Sequence, residues 1–133
     1  MTDQQAKQVI DKIVEQIFGL KNPLSLDQFR EKFAFDVKLP IKVYDFTTSE
    51  ETYTRDATNI GRYMKFDNIL KQETHGKDFM QLTVDNPNLD ALLSSWQKIN
   101  FTATEKYIDS INVSKSDSIV GCENLYNCLD YNN

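Results

Sequence analysis

From Tyr107 to Tyr131 the chain repeats itself in steps of six. Tyr107, Val113, Ile119, Leu125 and Tyr131 are all apolar, and Ser110, Ser116, Cys122 and Cys128 keep the same step with small side chains. A third register, Asn112, Ser118, Asn124 and Asp130, is polar and turn-prone. Because side chains alternate across a strand, a period of six returns equivalent residues to one face, and short strands and turns then stack into a β-solenoid. Val113, Ile119 and Leu125 are therefore expected on a common face of short extended segments. An irregular arm and an accidental period are the alternatives. Repeat units of this kind need roughly three or more neighbours to cover their apolar edges, so the tail reads as the opening turns of something longer.

Ahead of the tail, 133 residues with 40% hydrophobic content are enough for one ordinary domain plus a short appendage. The boundary is drawn between an α+β domain at 1–106 and a repeat tail at 107–133. A formal charge of -5 opposes broad binding to phosphate backbones, and the fifteen basic residues never stand side by side. No nucleic-acid partner is expected. An acidic solvated surface is the plain reading, and a face made for a basic partner the sharper one. No segment approaches the roughly 18 apolar residues of a membrane span. The polar stretch Met1 to Lys7 lacks the apolar block of a signal peptide, which predicts a cytoplasmic or virion-associated protein.

Along the domain, Thr2 with Gln5 forms a capping box, and Ala6, Val9, Ile10, Ile13, Val14 and Ile17 recur at helical spacing until Gly19. Ser25 with Gln28 opens a second, shorter helix that turns Leu26, Phe29 and Phe33 inward. From Phe35 to Tyr44 the period becomes two, describing a strand. Pro40 cannot donate to a ladder, so that strand lies at an edge or is interrupted there. Thr47–Glu51 is a polar turn, with Thr52, Tyr53 and Thr54 as the return strand. Tyr63, Phe66, Ile69 and Leu70 suit a short helix, and Tyr63–Phe66 suits a strand equally well. Thr74–Lys77 is read as a turn and Met80–Val84 as a strand. Asn86 and Pro87 then begin a helix carrying Leu89, Leu92, Leu93, Trp96 and Ile99 on one face, with Trp96 as a core anchor. Alternation from Phe101 to Tyr107 predicts a strand leading into the repeats.

Searching for chemistry returns mostly absences. The four glycines are isolated, so there is no phosphate-cradling loop, and no nucleotide or other cofactor is expected. His75, the only histidine, stands among turn residues and is a poor general base. Cys122 and Cys128 have no Cys-x-x-Cys spacing and no histidine partner, which makes them packing residues and leaves no metal site. The pairs Glu50–Glu51, Asp45–Asp56 and Asp85–Asp90 stand beside turn residues, where acids are common for conformational reasons. No catalytic residue is assigned. Tyrosines and threonines on a small sheet can offer contact area with a polar edge. Tyr44, Tyr53 and Tyr63, together with Val113, Ile119 and Leu125, are the candidate interaction surface.

The six-residue step invites comparison with left-handed β-helix acyltransferases. The residues following the apolar register (Ile108, Ser114, Val120, Tyr126) and those at the fifth position (Ile111, Asp117, Glu123, Leu129) depart from that family, and the tail has no catalytic histidine. Asp109–Val113, Cys122–Cys128 and Phe33–Pro40 more closely resemble repeat proteins of phages and prophages of Gram-positive bacteria, in which Asn-Ser or Asn-Cys tracts run in six-residue steps. That resemblance implies an origin and a β-solenoid architecture, with no catalytic residues to carry over. The function expected is a non-enzymatic interaction or assembly module that caps or presents a solenoid. It would bind a protein partner or self-associate through residues 107–131 as a dimer or trimer. An enzyme, as an acyltransferase fragment or a carboxylate-dependent hydrolase, and an acidic inhibitor of a basic host protein are the alternatives.

Overall fold

The computed structural model describes residues 1–57, 61–74 and 88–132. It is an α+β protein in which helices, small sheets and a parallel-paired tail follow in chain order. Helix α1, Asp3–Phe18, opens with the Thr2/Gln5 capping box and stops at Gly19, whose φ of 66° is the left-handed conformation that glycine adopts without strain. Helix α2, Leu26–Phe33, opens with the Ser25/Gln28 box. Between them Asn22 ties the corner: its amide donates to Asp11 Oδ1 at 2.9 Å while its carbonyl accepts the Leu24 amide at 3.1 Å. No helix among the described residues is long and apolar enough to cross a membrane.

The strand expected from Phe35 shrinks to β1, Ile41–Tyr44, which starts immediately after Pro40. The preceding residues turn instead, with the Val37 amide donating to Ala34 O, and Phe35 is 82% exposed. Strand β2, Glu51–Thr54, has only four residues to offer, and they pair antiparallel with β1 from Ile41↔Thr54 to Tyr44↔Glu51. Period-two patterning without a partner strand does not make a ladder.

Both readings of 63–70 hold in succession. Strand β3, Tyr63–Lys65, runs directly into helix α3, Phe66–Thr74. Asp45 fixes this junction. Its buried carboxylate accepts from the Thr47 hydroxyl and amide, the Thr48 amide, the Lys65 amide and Asn68 Nδ2, at 2.5 to 3.1 Å. Burial alone would raise its pKa, but these donors hold it at about 2.

Helix α4, Leu89–Ile99, is capped by Asn88, whose side chain accepts the Ala91 amide at 2.8 Å. The cap therefore sits two residues beyond the expected Asn86. Asn86, the Thr74–Lys77 turn beyond Thr74 and the Met80–Val84 strand lie outside the described residues. Trp96 is not the anticipated core anchor: it is 51% exposed, as are Leu89, Leu92 and Leu93 to similar degree. Strand β4, Thr102–Thr104, pairs in parallel with β3, Tyr63↔Thr102 to Lys65↔Thr104. Met64, Thr52, Thr54 and Thr104 form the tight centre here. Thr104 Oγ1 donates to Met64 O, so its own oxygen is left to accept from Thr52 Oγ1 at 2.6 Å. A buried core with this many hydroxyls stays stable because each finds a partner.

Residues 107–132 pair with themselves in parallel, twelve residues apart. Strands β5 (Tyr107–Ile108), β6 (Asp117–Val120) and β7 (Leu129–Asn132) stack with Tyr107↔Ile119 and Ile119↔Tyr131 in register. Single bridges Ile111↔Glu123 and Ser114↔Tyr126 join the same two turns of chain between them.

Candidate functional site

Every third residue of the tail, Asp109, Asn112, Lys115, Ser118, Gly121, Asn124, Asn127 and Asp130, has φ between 47° and 65°. Asn, Asp and Gly adopt this region most cheaply, and they hold six of the eight places. Each left-handed residue bends the chain, and the parallel ladder returns after twelve residues, four such bends on. The residue before the corner bridges to the neighbouring turn. Ile111 donates to Cys122 O and accepts from the Asn124 amide; Ser114 does the same with Leu125 and Asn127. The residue after the corner points inward, and these inward places are the two registers of six interleaved: large at Tyr107, Val113, Ile119 and Leu125, small at Ser110, Ser116, Cys122 and Cys128.

The twelve-residue register sets Ile119 in a different row from Val113 and Leu125. Ile119 stands between Tyr107 and Tyr131 and is fully buried. The small residues are more than spacers. Ser110 Oγ donates to Ile108 O and accepts the Cys122 amide; Ser116 Oγ donates to Ser114 O and accepts the Cys128 amide. One hydroxyl thus ties its own corner and the turn above it. Outside, Asn112 Nδ2 donates to Asn124 Oδ1, one rung of a side-chain ladder.

The α+β part is bonded to the start of this tail. Across the interior, Tyr107 Oη donates to Ser116 O at 3.0 Å and accepts the Ser116 amide at 3.1 Å. Burial and the neighbouring Glu105 carboxylate push its pKa far up, which keeps it a donor. Buried Asp117 accepts the amides of Arg55, Lys106 and Ser118, joining β2 to the tail. The N-terminus of α1 lies along one flank. The Met1 amino group donates to Asn112 O, Ser114 Oγ donates to Met1 O, and Asp3 accepts from Lys115 Nζ at 2.6 Å and Tyr126 Oη at 3.0 Å. Burial works against the Lys115 charge, but Asp3 and Tyr126 hold its pKa up at about 12. Arg30 of α2 reaches Asn127 and Arg55 reaches Asp130, so both turns are held.

At the joint, Glu105 has a φ of 50° and its carboxylate faces the Lys65 ammonium at 4.0 Å. Burial raises its pKa to about 7 despite Lys65, with Asp117, Asp67 and Glu50 adding to the rise. It holds a proton near neutral pH. Among the described residues no three metal-ligating side chains converge, and the thiols of Cys122 and Cys128 are free and turned into the tail.

Of the candidate surface residues, Ile119, Tyr53 and Tyr63 are buried, and Val113 and Leu125 are half-buried. Only Tyr44 is exposed, at 56%. What remains open is the upper rim of the second turn. There a cavity of about 380 Å³ lies among Gly121, Cys122, Glu123, Leu125 and Tyr131. In the sequence, the signal for this site was the tolerance for left-handed backbone at every third position, which Lys115 and Ser118 obscure. Comparison with protein-family models, with curated proteins and with solved structures returned no match.

Proposed function

We propose that this chain is a non-enzymatic assembly module in which the α+β part seals one end of a β-solenoid begun by residues 107–132. The twelve-residue parallel register carries this reading. Ile111, Ser114 and Asp117 in the first turn use their outer backbone groups to bind the second turn. The equivalent groups of Glu123, Tyr126 and Leu129 belong to the far side of the second turn, where the Tyr126 carbonyl accepts from the weak Cys128 thiol, and a ladder edge of this kind above an apolar interior accepts more backbone. The lower end is filled by Tyr107, Asp117 and Lys106, so growth is possible in one direction only. The resemblance to phage and prophage repeat proteins supports the same architecture and adds an origin.

The test is to extend the edge. Residues 109–132 repeated in frame after Asn132 should continue the register, adding β signal in circular dichroism and amide protection in hydrogen exchange. The same extension offset by one residue should add neither, because it moves left-handed corners onto Cys and Leu. An in-frame extension that stays unprotected would sink the reading.

A further inference from the structure

A second kind of surface stands apart from the solenoid edge. Helices α1 and α2 form a groove of about 430 Å³ whose walls are Ile13, Ile17, Phe18, Leu20, Phe29 and Phe33. Ile17, Phe18 and Leu20 are each 67% exposed. The two phenylalanines of α2 stack against each other, ring centroids 4.6 Å apart, and form one rigid wall. Elsewhere on the molecule α4 carries an apolar stripe: Leu89, Leu92, Leu93 and Trp96, at 70%, 54%, 45% and 51% exposure. Apolar patches of this extent on a soluble chain mark binding sites.

We infer that the α4 stripe of one copy seats in the α1–α2 groove of a second copy, and reciprocally, closing a two-fold dimer. Dimensions support the match. Leu89 to Trp96 spans about 10 Å of helix, and the α1 wall of the groove, Ile13 to Phe18, spans about 8 Å before Leu20 and Pro23 carry it on toward Phe29. Charge supports it as well: Lys21 stands on the groove rim, and Asp90 stands in the first turn of α4. Area decides for reciprocity. One seated stripe of four large side chains covers roughly 800 Å² counted on both partners, about half of what a standard stable interface buries. Two equivalent seats reach that size, and a closed pair leaves neither groove nor stripe open to build fibres.

Trp96 is the sole tryptophan, so its fluorescence reads the seat directly, since indole emission moves to shorter wavelength on leaving water. The expected result on the 133-residue chain is long-wavelength emission at nanomolar concentration and a blue shift toward high micromolar, together with a doubling of mass in sedimentation. Ile17→Asp in the groove and Leu92→Glu on the stripe should each abolish both changes; both positions are exposed, and circular dichroism checks that the helices persist. Blue emission at every concentration means α4 seats in its own chain and overturns the inference. So does long-wavelength emission throughout, a shift that survives Ile17→Asp, or mass that keeps growing past the dimer. None of these outcomes bears on the solenoid, which hydrogen exchange of residues 107–132 reads separately.

Discussion

Helix α1 and the stacked turns of residues 107–132 touch along one flank, yet they hold their shape by different means. Helix α1 meets its local rules well, with a capping box at Thr2, a left-handed glycine at its end and a Lys7–Asp11 pair one turn apart, but leaves Ile13 about half and Ile17 two-thirds exposed. The tail breaks local rules repeatedly, placing eight residues at positive φ, and buries Ser116, Asp117, Ile119 and Cys122 almost completely. A left-handed residue costs about 1 kcal/mol where it is not glycine or asparagine, and the tail offsets that through ladders between residues twelve apart. Local order and tertiary order are separable, and this chain puts one in each half.

The comparison breaks most sharply at Ile119. Ile119→Asp places an unpaired charge between Tyr107 and Tyr131 and should cost at least ~4 kcal/mol. Hydrogen exchange should show protection lost across the whole of 107–132 while α1 keeps its amides; protection lost only at the rim would mean that the two turns are not one cooperative unit.

Two carboxylates, Glu105 at the joint and Asp45 at the β3–α3 junction, should make stability respond to pH in opposite ways. Glu105 titrates near 7 when folded against an ordinary 4.5, so its favourable contribution is complete below 4.5 and lost as pH rises to about 7, a fall of about 3 kcal/mol. Asp45 is depressed from 3.8 to about 2. Its contribution of about 2 kcal/mol is present above 3.8 and lost as pH falls toward 2. Urea midpoints should therefore peak near pH 4 to 5, and Glu105→Gln should flatten the alkaline limb and raise stability at pH 8. An unchanged limb would show that Glu105 is solvated.

Corner positions give a finer test. Asn124→Val should cost about 1–2 kcal/mol through its left-handed backbone, and Asn124→Gly less than half of that. Equal losses would assign the effect to the Asn112–Asn124 bond instead. The smallest effect is at the helix: Thr2→Ala removes a cap worth about 1 kcal/mol, readable as fraying of the first turn of α1 with the tail amides unaffected.

What the sequence disclosed follows the same division. Both capping boxes, Gly19, the β1–β2 return and the strand break at Pro40 depend on neighbours a few residues apart, and all were legible. The period of six in the tail was legible too, but it is half of the true turn. A strand reading assumes alternation at every second residue, whereas corners at Asp109, Asn112 and their successors reset the direction at every third. That change turned Val113, Ile119 and Leu125 from a shared face into separate rows. The pairing of β3 with β4, and the carboxylate of Asp117 closing the first turn against Arg55, join residues far apart in the chain, and no local pattern announces them.

The corner-and-ladder construction also fixes how the tail would yield to force. Its strands run across the stacking axis, so a pull on the C-terminal end loads the hydrogen bonds lengthwise and in sequence, as in opening a zipper. Each released turn of twelve residues supplies about 40 Å of extended chain in place of a rise of about 4.8 Å. Extension should therefore proceed in even steps at low load, stopping where Tyr107 and Asp117 anchor the first turn to the domain below. Under load such a tail would pay out chain in measured lengths.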